Sequence, residues 1–525
     1  MTETHVFEHR TLLRHPRDVV FRWLANPGAL QRMNPPFASE LVHGPTNGLA
    51  VGSETRLRIS PPGSLGLLAD TSRGLLAGML PDAVSSRIPA AATPKVPWHA
   101  RHTAYEEGRM FRDEMVSGPL RSWTHTHTLE DAAPGEADTA AGTPGTVVLD
   151  RIEYVLPGEG LLGRVPGIGG TAAAWAGRGF EAELRRQFAY RARVMADDLA
   201  FHAAHPGPLT GGPARTVAVT GASGLIGAQL TALLMSGGHR VIRLVRSPEQ
   251  AAAPDAALWD PARERVDESA LAQVDVIVNL AGEPIAGRFT DAHKEAVHDS
   301  RVRGTRTLVD AMGRLPRVPA LVNCSAIGYY GAHAGTGPFG AGLGEELEPG
   351  DDFLAEVCAD WEAEAVRAEA FGARVARVRV GVVLSPAGGM LQQVLPLFLA
   401  GLGGPMATSG GESHDGSPWV SWVGVDDVAG AFAHAVLDDD VAGPLNAVAP
   451  EPVTAKEFAT VLGRVLHRPS VLPVPAFGPR LLLGAEGDAE TVRADQKVEA
   501  GRLLDSGYAM RDDELEGALR HVLGR

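Results

Sequence analysis

The stretch TVAVTGASGLIGAQLTALLMSGGHRVIRLVR, residues 216–246, decides the fold of this chain. A short run of valine and alanine enters a turn that carries glycines at positions 221, 224 and 227. A helical pattern follows, and a second apolar strand then runs from Val241 to Val245. Strand, glycine turn, helix and strand in this order predict the opening βαβ unit of a dinucleotide-binding sheet.

Each glycine of the turn has its own physical purpose in such a unit. Gly221 permits the tight turn, Gly224 lets backbone amides approach a pyrophosphate, and Gly227 allows the helix to pack close to the strand. The helix N-terminus adds unpaired N–H groups and the positive end of the helix dipole. The residues expected to bind the cofactor here are Gly221, Ser223, Gly224, Leu225, Ile226 and Gly227. The alternative is an ordinary βαβ turn in which the glycines occur by chance.

The end of the second strand indicates which dinucleotide binds. An NAD enzyme usually places Asp or Glu there to bond the ribose 2′-hydroxyl. This chain has Val245, Arg246 and Ser247 instead, and a guanidinium suits a 2′-phosphate. The sequence therefore predicts NADP, with NAD less favoured. The alternative is that Arg246 is a solvated surface residue.

The bulk composition excludes several classes of protein. The chain has 525 residues, too many for one core, and a net charge of −15 that argues against binding nucleic acid or anionic membrane. Its two cysteines, Cys324 and Cys358, point to a reducing compartment. The first residues lack the pattern of a signal peptide, and no apolar run reaches about eighteen residues. We expect a cytoplasmic protein without a membrane partner.

Alternating strand and helix patterns continue to about residue 450, and they predict a Rossmann-type, doubly wound parallel sheet. A stretch rich in Pro and Gly precedes this sheet and reads as a linker. The predicted organisation is an α+β domain at 1–202, a linker at 203–215, the dinucleotide-binding domain at 216–442, and a smaller C-terminal segment at 443–525 packed on it.

The N-terminal part shows an early helix, several antiparallel strands and a long last helix from about residue 180. Together with FRDEMVSGPLRSWTHTHTL (111–129) and LDRIEYVLP (149–157), this order resembles the START/polyketide-cyclase superfamily, SRPBCC. The resemblance implies a helix-grip fold around an apolar cavity that could hold a hydrophobic ligand. An apolar insertion at 62–97 either packs as extra helices, which we favour slightly, or covers the cavity mouth.

The second part carries the strings NLAGEPIAG (279–287), DSRVRGT (299–305), NCSAIGYYG (323–331) and VSWVGVDDV (420–428). They resemble an atypical, epimerase-like branch of the extended short-chain dehydrogenase/reductases, the NAD-dependent epimerase/dehydratases, with a C-terminal domain of unknown function. The resemblance spans residues 216 to about 522. It implies that Leu280, Ala281 and Gly282 pass close to the cofactor, and that Ser325 orients the substrate oxygen.

The catalytic Tyr-x-x-x-Lys pair of that family is missing. Lysine occurs only at positions 95, 294, 456 and 497, and none has a tyrosine four residues before it. Leu354 and Cys358 stand where the pair would be. Candidate substitutes are Tyr329 and Tyr330 as proton donors, and Arg301 as an anchor for an anionic substrate or a perturber of a tyrosine pKa. The alternatives are structural tyrosines and a surface arginine.

Two further groups of side chains could carry chemistry. His125 and His127 alternate on one predicted strand, near His99 and His102, and histidines paired in this way can ligate zinc. Because no cysteine or matched carboxylate completes a site in the sequence, we predict no metal and favour polar lining of a cavity. The two cysteines could meet in a redox pair, although buried packing is the favoured role.

The sequence thus predicts an NADP-dependent oxidoreductase or epimerase that acts on a small, mainly apolar carbonyl or hydroxyl substrate. The alternative is a non-catalytic protein in which NADP occupancy controls the binding of a ligand or partner.

Overall fold

Two sheets of different kinds organise the chain, an antiparallel sheet in the N-terminal part and a parallel sheet after residue 215. The computed structural model describes residues 4–60, 95–140, 142–157, 169–337, 340–405, 413, 416–470 and 483–525. The apolar insertion at 62–97 lies almost wholly outside the described residues, so its packing stays a prediction.

The antiparallel sheet has seven strands in the order β1-β7-β6-β5-β4-β3-β2. The strands are β1 (His5–Leu13), β2 (Ser39–His43), β3 (Glu54–Ile59), β4 (Val96–Glu106), β5 (Met110–Ser117), β6 (Ser122–Asp131) and β7 (Thr146–Val155). In β7, Ile152 and Tyr154 are buried, whereas Arg151 and Glu153 are exposed. This period of two is typical of a sheet that is covered on one face.

Among its described residues, the N-terminal part also contains the helices α1 (Arg17–Ala25), α2 (Ala29–Arg32) and α3 (Gly169–Ala204). The long α3 covers one face, where its Phe188 packs with Phe7 and Ile152 of the strands. The predicted order of early helix, antiparallel strands and long last helix is therefore present, although α3 begins before residue 180. Membership of the SRPBCC superfamily stays a prediction.

Among the described residues, the second sheet has eight strands in the order β11-β10-β9-β8-β12-β13-β14-β18, and every neighbouring pair is parallel except β10 with β11. This order confirms the Rossmann-type prediction. The strands are β8 (Thr216–Thr220), β9 (Arg240–Val245), β10 (Ala256–Asp260), β11 (Arg265–Val266), β12 (Val276–Asn279), β13 (Ala320–Ala326), β14 (Val375–Val380) and β18 (Gly443–Ala447). Two small sheets pair β15 (Val382–Leu384) with β17 (Trp422–Gly424) and β16 (Trp419–Val420) with β19 (Val453–Thr454).

The position of β18 corrects the predicted domain boundary. This strand pairs in parallel with β14, from Ala376 to Val380, as the last strand of the large sheet. The boundary between residues 442 and 443 is therefore wrong, because it separates one strand from its own sheet. The sequence GPLNA is too short and has too little apolar alternation to predict a strand. The strand becomes evident only from its pairing with β14.

Helices cover both faces of the parallel sheet. They are α4 (Leu225–Ser236), α5 (Pro248–Ala251), α6 (Glu268–Leu271), α7 (Asp291–Met312), α8 (Phe353–Val366), α9 (Gly389–Leu399), α10 (Val425–Leu437), α11 (Ala455–Leu466), α12 (Gly501–Asp505) and α13 (Leu515–Leu523). Val217 and Val219 face a core built with α4 and α10, whereas Ala218 faces a core built with α7. In the part of the chain that the structure describes, no helix is long and apolar enough to cross a bilayer.

A buried ion network joins the two sheet domains and the C-terminal segment. Arg32, fully buried in the N-terminal domain, donates two hydrogen bonds of 2.9 Å to Asp198 of α3 and one of 2.6 Å to Asp426 of α10. Arg511 donates to Asp198 at 2.7 Å, and His521 lies 3.0 Å from Asp426. Burial alone would raise the pKa of Asp426, but the Arg32 charge and His521 hold it well below its usual value.

The predicted linker is part of this packing. His205 stacks on Phe201 of α3 with ring centroids 4.1 Å apart, and its Nε2 lies 2.8 Å from Nδ1 of His434 in α10. The main-chain carbonyls of Pro208 and Leu209 accept hydrogen bonds from Arg22. Residues 203–215 therefore act as a packed connection whose position is fixed against both domains.

Replacing Arg32 by alanine tests the network. Arg32→Ala leaves two carboxylates buried with less compensation, so we expect it to lower the free energy of unfolding by about 3–5 kcal/mol. Denaturant unfolding followed by fluorescence and circular dichroism measures this loss. The matched control is Arg151→Ala, which removes an arginine paired with two carboxylates on the exposed face of β7 and should hardly move the midpoint. Equal shifts for both variants would contradict the structural role given to Arg32.

Candidate functional site

The glycine turn between β8 and α4 forms a cradle of exposed backbone. Gly221 has φ of +65°, which favours glycine, and a Cβ there would lie 3.0 Å from the Leu280 carbonyl carbon. A Cβ on Gly227 would come within 2.1 Å of the Gly221 carbonyl oxygen. Gly224 is the extended residue that precedes α4, and it is exposed together with Ser223. The first N–H groups of α4 therefore lie at an exposed helix N-terminus, where such groups lack partners within the helix.

The end of β12 lies against this cradle. The Thr220 hydroxyl oxygen accepts hydrogen bonds from the main-chain N–H groups of Leu280 and Ala281, at 3.0 and 3.1 Å. Leu225 and Ile226 are half-buried at the start of α4. The structure thus brings together the predicted cofactor residues at the ends of β8 and β12, where an open α/β sheet builds its site.

A chain of buried amides and hydroxyls beneath the site was not predicted from the sequence. Thr220 donates to the side chain of Asn279, whose amide donates in turn to Thr305 and Asn323, each bond being 2.8 Å long. The indole N–H of Trp361 also donates to Thr305. These bonds tie the carboxyl ends of three parallel strands to α7 and α8. In the sequence, this hydrogen-bonded chain was indicated only by the asparagines Asn279 and Asn323 in two otherwise apolar strands.

Arg246 lies where the prediction placed it. It is exposed just after β9, and no described residue forms an ion pair or hydrogen bond with it. By contrast, Arg243 of the same strand is held by two hydrogen bonds to Asp255. The guanidinium of Arg246 is therefore free to meet an anionic group beside the cradle.

Ser325 lies at the carboxyl end of β13 and is almost completely buried, with 1% of its surface exposed. Its hydroxyl has no hydrogen-bond partner of acceptable geometry among the described residues, although the Cys358 thiol faces it. A buried hydroxyl left without a partner costs free energy that a bound polar group can recover. The Ser325 hydroxyl therefore keeps a hydrogen-bonding capacity that a bound polar group could use.

Tyr330 belongs to the supporting structure. Its hydroxyl donates to Asn446 at 2.8 Å and accepts from Arg379 at 3.0 Å, and Arg379 is itself paired with buried Glu362 at 2.8 Å. Burial raises the pKa of Tyr330 to about 12. The phenol of Tyr330 is thus held by Asn446 and Arg379, which argues against its predicted role as a proton donor.

Tyr329, next to it in the chain, is less enclosed than Tyr330. The ring is half-buried, and the Arg379 guanidinium lies 3.5 Å from its centroid. Burial raises the pKa of Tyr329, so its hydroxyl is protonated at neutral pH. Of the two tyrosines, only Tyr329 keeps a phenol that a substrate could use.

Arg301 is no solvated surface residue. Its guanidinium donates to the carbonyls of Glu283 and Val297, both at 3.0 Å, and lies 5.2 Å from the centre of the Trp361 ring. A Cβ on Gly282 would come within 2.9 Å of its Cζ. Burial lowers the pKa of Arg301, although an arginine stays charged at any physiological pH. A positive charge therefore borders the site from α7.

The two cysteines lie near this charge but are poorly suited to redox chemistry. Burial raises the pKa of Cys324 to about 12 and that of Cys358 to about 11, against the opposing effect of Arg301. Both thiols are consequently protonated at neutral pH, whereas a reactive cysteine needs its thiolate. This agrees with the packing role favoured from the sequence.

The comparisons with known proteins agree with the geometry. Residues 217–447 match the NAD dependent epimerase/dehydratase family, and residues 474–522 match a domain of unknown function, DUF1731. An epimerase family protein of Mycobacterium tuberculosis is 36% identical over 310 residues, which are 59% of this chain and 98% of that protein. The chain belongs to the NAD-dependent epimerase/dehydratase family.

Other members of this epimerase family extend the likeness. Human epimerase family protein SDR39U1 is 34% identical over 312 residues, which are 58% of this chain and 99% of that protein. A crystal structure of the human protein with NADPH has a TM-score of 0.50 and 32% identity over 59% of this chain and 99% of its own. The crystal structure of a nucleoside-diphosphate sugar epimerase from Corynebacterium glutamicum reaches a TM-score of 0.69 and 29% identity, and covers 99% of this chain and 90% of its own. The last likeness includes the N-terminal domain.

The residues present fit a dinucleotide. The cradle has no room for a Cβ at Gly221 or Gly227, the N-terminus of α4 is exposed, and the Ser325 hydroxyl is buried without a partner. The family match implies a nicotinamide dinucleotide.

Closing the cradle tests this interpretation. Gly227→Ala places a Cβ against the Gly221 carbonyl, so the loop must shift, and we expect NADPH to bind about 5- to 100-fold more weakly. Titration followed by NADPH fluorescence measures the affinity. Gly501→Ala is the matched control, since a Cβ there meets nothing within 4 Å. Unchanged NADPH affinity in Gly227→Ala would place the nucleotide elsewhere.

Proposed function

We propose that this chain is an NADP-dependent oxidoreductase or epimerase acting on a small, mainly apolar carbonyl or hydroxyl substrate. The observation that carries the proposal is the buried hydroxyl of Ser325 at the carboxyl end of β13, two strands away from β8 and its glycine turn, which makes no hydrogen bond of acceptable geometry with a described residue. Such a hydroxyl holds a substrate oxygen by a hydrogen bond and thereby orients the reacting carbon. Bound NADP(H) supplies the hydride chemistry.

The protein's own groups divide the remaining work. Tyr329 exchanges the proton with the substrate oxygen, because the phenol of Tyr330 is occupied by Asn446 and Arg379. Cys358 replaces the family lysine, so the positive charge of the site comes from Arg301 on α7. An arginine there stabilises negative charge on an oxygen through electrostatics, without itself giving up a proton.

NADP is favoured over NAD on two grounds. Arg246 is exposed at the end of β9 without a partner among the described residues, and no acidic side chain stands beside it to bond a ribose 2′-hydroxyl. The human relative was crystallised with NADPH. The N-terminal domain, as an SRPBCC-type module, would hold the apolar part of a ligand.

The second candidate function is a non-catalytic protein whose ligand or partner binding responds to NADP. The observations in its favour are the absent Tyr-x-x-x-Lys pair and the engagement of Tyr330 in a structural network. Under this alternative the cradle binds the dinucleotide, but no hydride leaves it.

Removing the Ser325 hydroxyl separates the two candidates. Native mass spectrometry of the purified chain identifies co-purified small molecules, and these are then tested as substrates by the change in NADPH absorbance. We expect Ser325→Ala to lower kcat/KM by about 10²–10³ while NADPH affinity is kept. Ser236→Ala is the matched control, a buried serine at the far end of α4. NADPH binding without turnover of any candidate in the wild-type chain would favour the non-catalytic function.

Arg246 provides the test of cofactor choice. Arg246→Ala removes the charge that meets a 2′-phosphate, so NADPH should bind about tenfold or more weakly while NADH binding is unchanged. Dissociation constants for both nucleotides measure the effect. Arg240→Ala, at the exposed start of the same strand, serves as the control for overall charge. An equal loss for NADH and NADPH would remove Arg246 from the recognition of the 2′-phosphate.

A further inference from the structure

A second cluster of polar side chains lies in the N-terminal domain, on three neighbouring strands of the antiparallel sheet. His125 of β6 is directly opposite Asp113 of β5, and His127 of β6 is directly opposite Asp150 of β7. Residues opposite one another, or two apart on one strand, share a face of the sheet, so all four side chains point the same way. The Phe188 ring of α3 lies 5.5 Å from His125, so this is the face that α3 covers.

The carboxylate of Asp150 binds one nitrogen of each histidine. Its Oδ1 lies 3.0 Å from Nε2 of His125 and 2.7 Å from Nδ1 of His127. The contact with His125 is a hydrogen bond, and the contact with His127 is a close nitrogen–oxygen approach. Both rings are thereby held beside Asp150, and the second nitrogen of each ring lies on the side of Asp113.

Those other nitrogens converge on Asp113. Nδ1 of His125 and Nε2 of His127 lie 3.6 and 3.8 Å from Oδ1 of Asp113. These separations are too long for hydrogen bonds, but they are close to the about 3.3–3.6 Å between ligand atoms of a tetrahedral zinc site with bonds of about 2.0–2.2 Å. One ligand atom from each of the three residues lies within 4.8 Å of the others. The three ligand atoms are therefore close enough together to share one metal ion.

The net charge of the cluster favours a bound cation between Asp113, His125 and His127. With neutral imidazoles, the two carboxylates and the neighbouring Arg191 of α3 leave one negative charge uncompensated, and His125 and Asp150 are buried. Burying unbalanced charge is costly. A divalent cation with one anionic ligand, such as hydroxide, makes the group neutral.

We propose that the N-terminal domain binds a divalent first-row transition-metal ion through Nδ1 of His125, Nε2 of His127 and a carboxylate oxygen of Asp113. Asp150 is the outer carboxylate that orients both histidines, as metal-bound imidazoles commonly require. Two imidazole ligands favour zinc and its neighbours over magnesium or calcium, which prefer oxygen. The proposal replaces the expectation of no metal, and it is independent of the proposed reaction at the parallel sheet.

A small cavity adjoins the cluster on the side of His127 and Asp150. It is also lined by Thr11, Leu24, Met33 and residues of α3 that include Arg191. The Nε of Arg191 is buried without a hydrogen-bond partner among the described residues. Of the three proposed ligands, His127 borders this cavity, so an exchangeable fourth ligand would approach the metal past His127. Three protein ligands and one exchangeable position are typical of a reactive metal site.

Cobalt binding tests the proposal on the full chain. The protein is freed of metal with a chelator and titrated with CoCl2, since bound Co2+ absorbs visible light in a way that reports nitrogen and oxygen ligands. We expect one Co2+ per chain, displaced by one Zn2+, and a higher unfolding midpoint of the wild-type chain with Zn2+. No absorption change and no shift of the midpoint would overturn the proposal, and would mean that a proton on a histidine balances the carboxylates instead.

Variants identify the ligands. His125→Gln combined with His127→Gln should abolish the cobalt spectrum, whereas Asp150→Asn should weaken binding about 10- to 100-fold. His99→Gln is the matched control, because this strand histidine pairs with Glu54 away from the cluster and should leave the spectrum unchanged. NADPH binding at the parallel sheet serves as the check that each variant is folded. An unchanged spectrum in the double variant would overturn the assignment.

Discussion

The buried guanidinium of Arg32 fixes the arrangement on which the rest of this structure depends. It satisfies Asp198 of α3 with two hydrogen bonds and Asp426 of α10 with a third, and it also donates to Gln229 at 2.7 Å. Gln229 lies on α4, two residues after the last glycine of the cradle. Because a buried charge is stable only when it is paired, the three helices can approach one another in very few ways. The N-terminal domain is thereby bonded to the helix whose first turn forms the candidate cofactor site.

The positions of the positively charged side chains limit which groups of the candidate site could transfer a proton. In the wider family a lysine follows the catalytic tyrosine on the helix that is α8 here, but this chain has Cys358 at that position. Arg301 brings a cation to the site from α7, and Arg379 is committed to Glu362 and Tyr330 beneath it. A guanidinium does not release its proton at neutral pH. In the proposed reaction, the proton would therefore be exchanged by a neutral group such as Tyr329, and Arg301 would contribute only its electrostatic field.

Local patterns in the sequence predicted the local structure well, but they did not predict contacts between residues that are far apart in the sequence. The residues of the βαβ unit are contiguous in the sequence, so the positions of its glycines and of Arg246 in the fold could be predicted. The role of Tyr330 could not, because its partner Asn446 lies 116 residues further along the chain on a strand without an apolar pattern. In the same way, His125 and His127 were recognisable as a pair, but Asp113 and Asp150 join them only through the registers of β5, β6 and β7. A register is set by the packing of the whole sheet, and no short string of sequence contains it.

The helix α3 connects the histidine cluster to the Arg32 network. Arg191 borders the histidine cluster, and Asp198 lies seven residues later, about two turns and 10 Å along the same face, in the Arg32 network. Phe201 then packs into the core of the parallel sheet. A variant that lacks residues 1–202 would lose Arg32 and Asp198. Asp426 would then remain without its ion-pair partner Arg32. Loss of activity in such a truncation would consequently report damage at α10 as much as absence of a ligand-binding domain. Point substitutions in the histidine cluster, which leave the network intact, address the contribution of the N-terminal domain without that ambiguity.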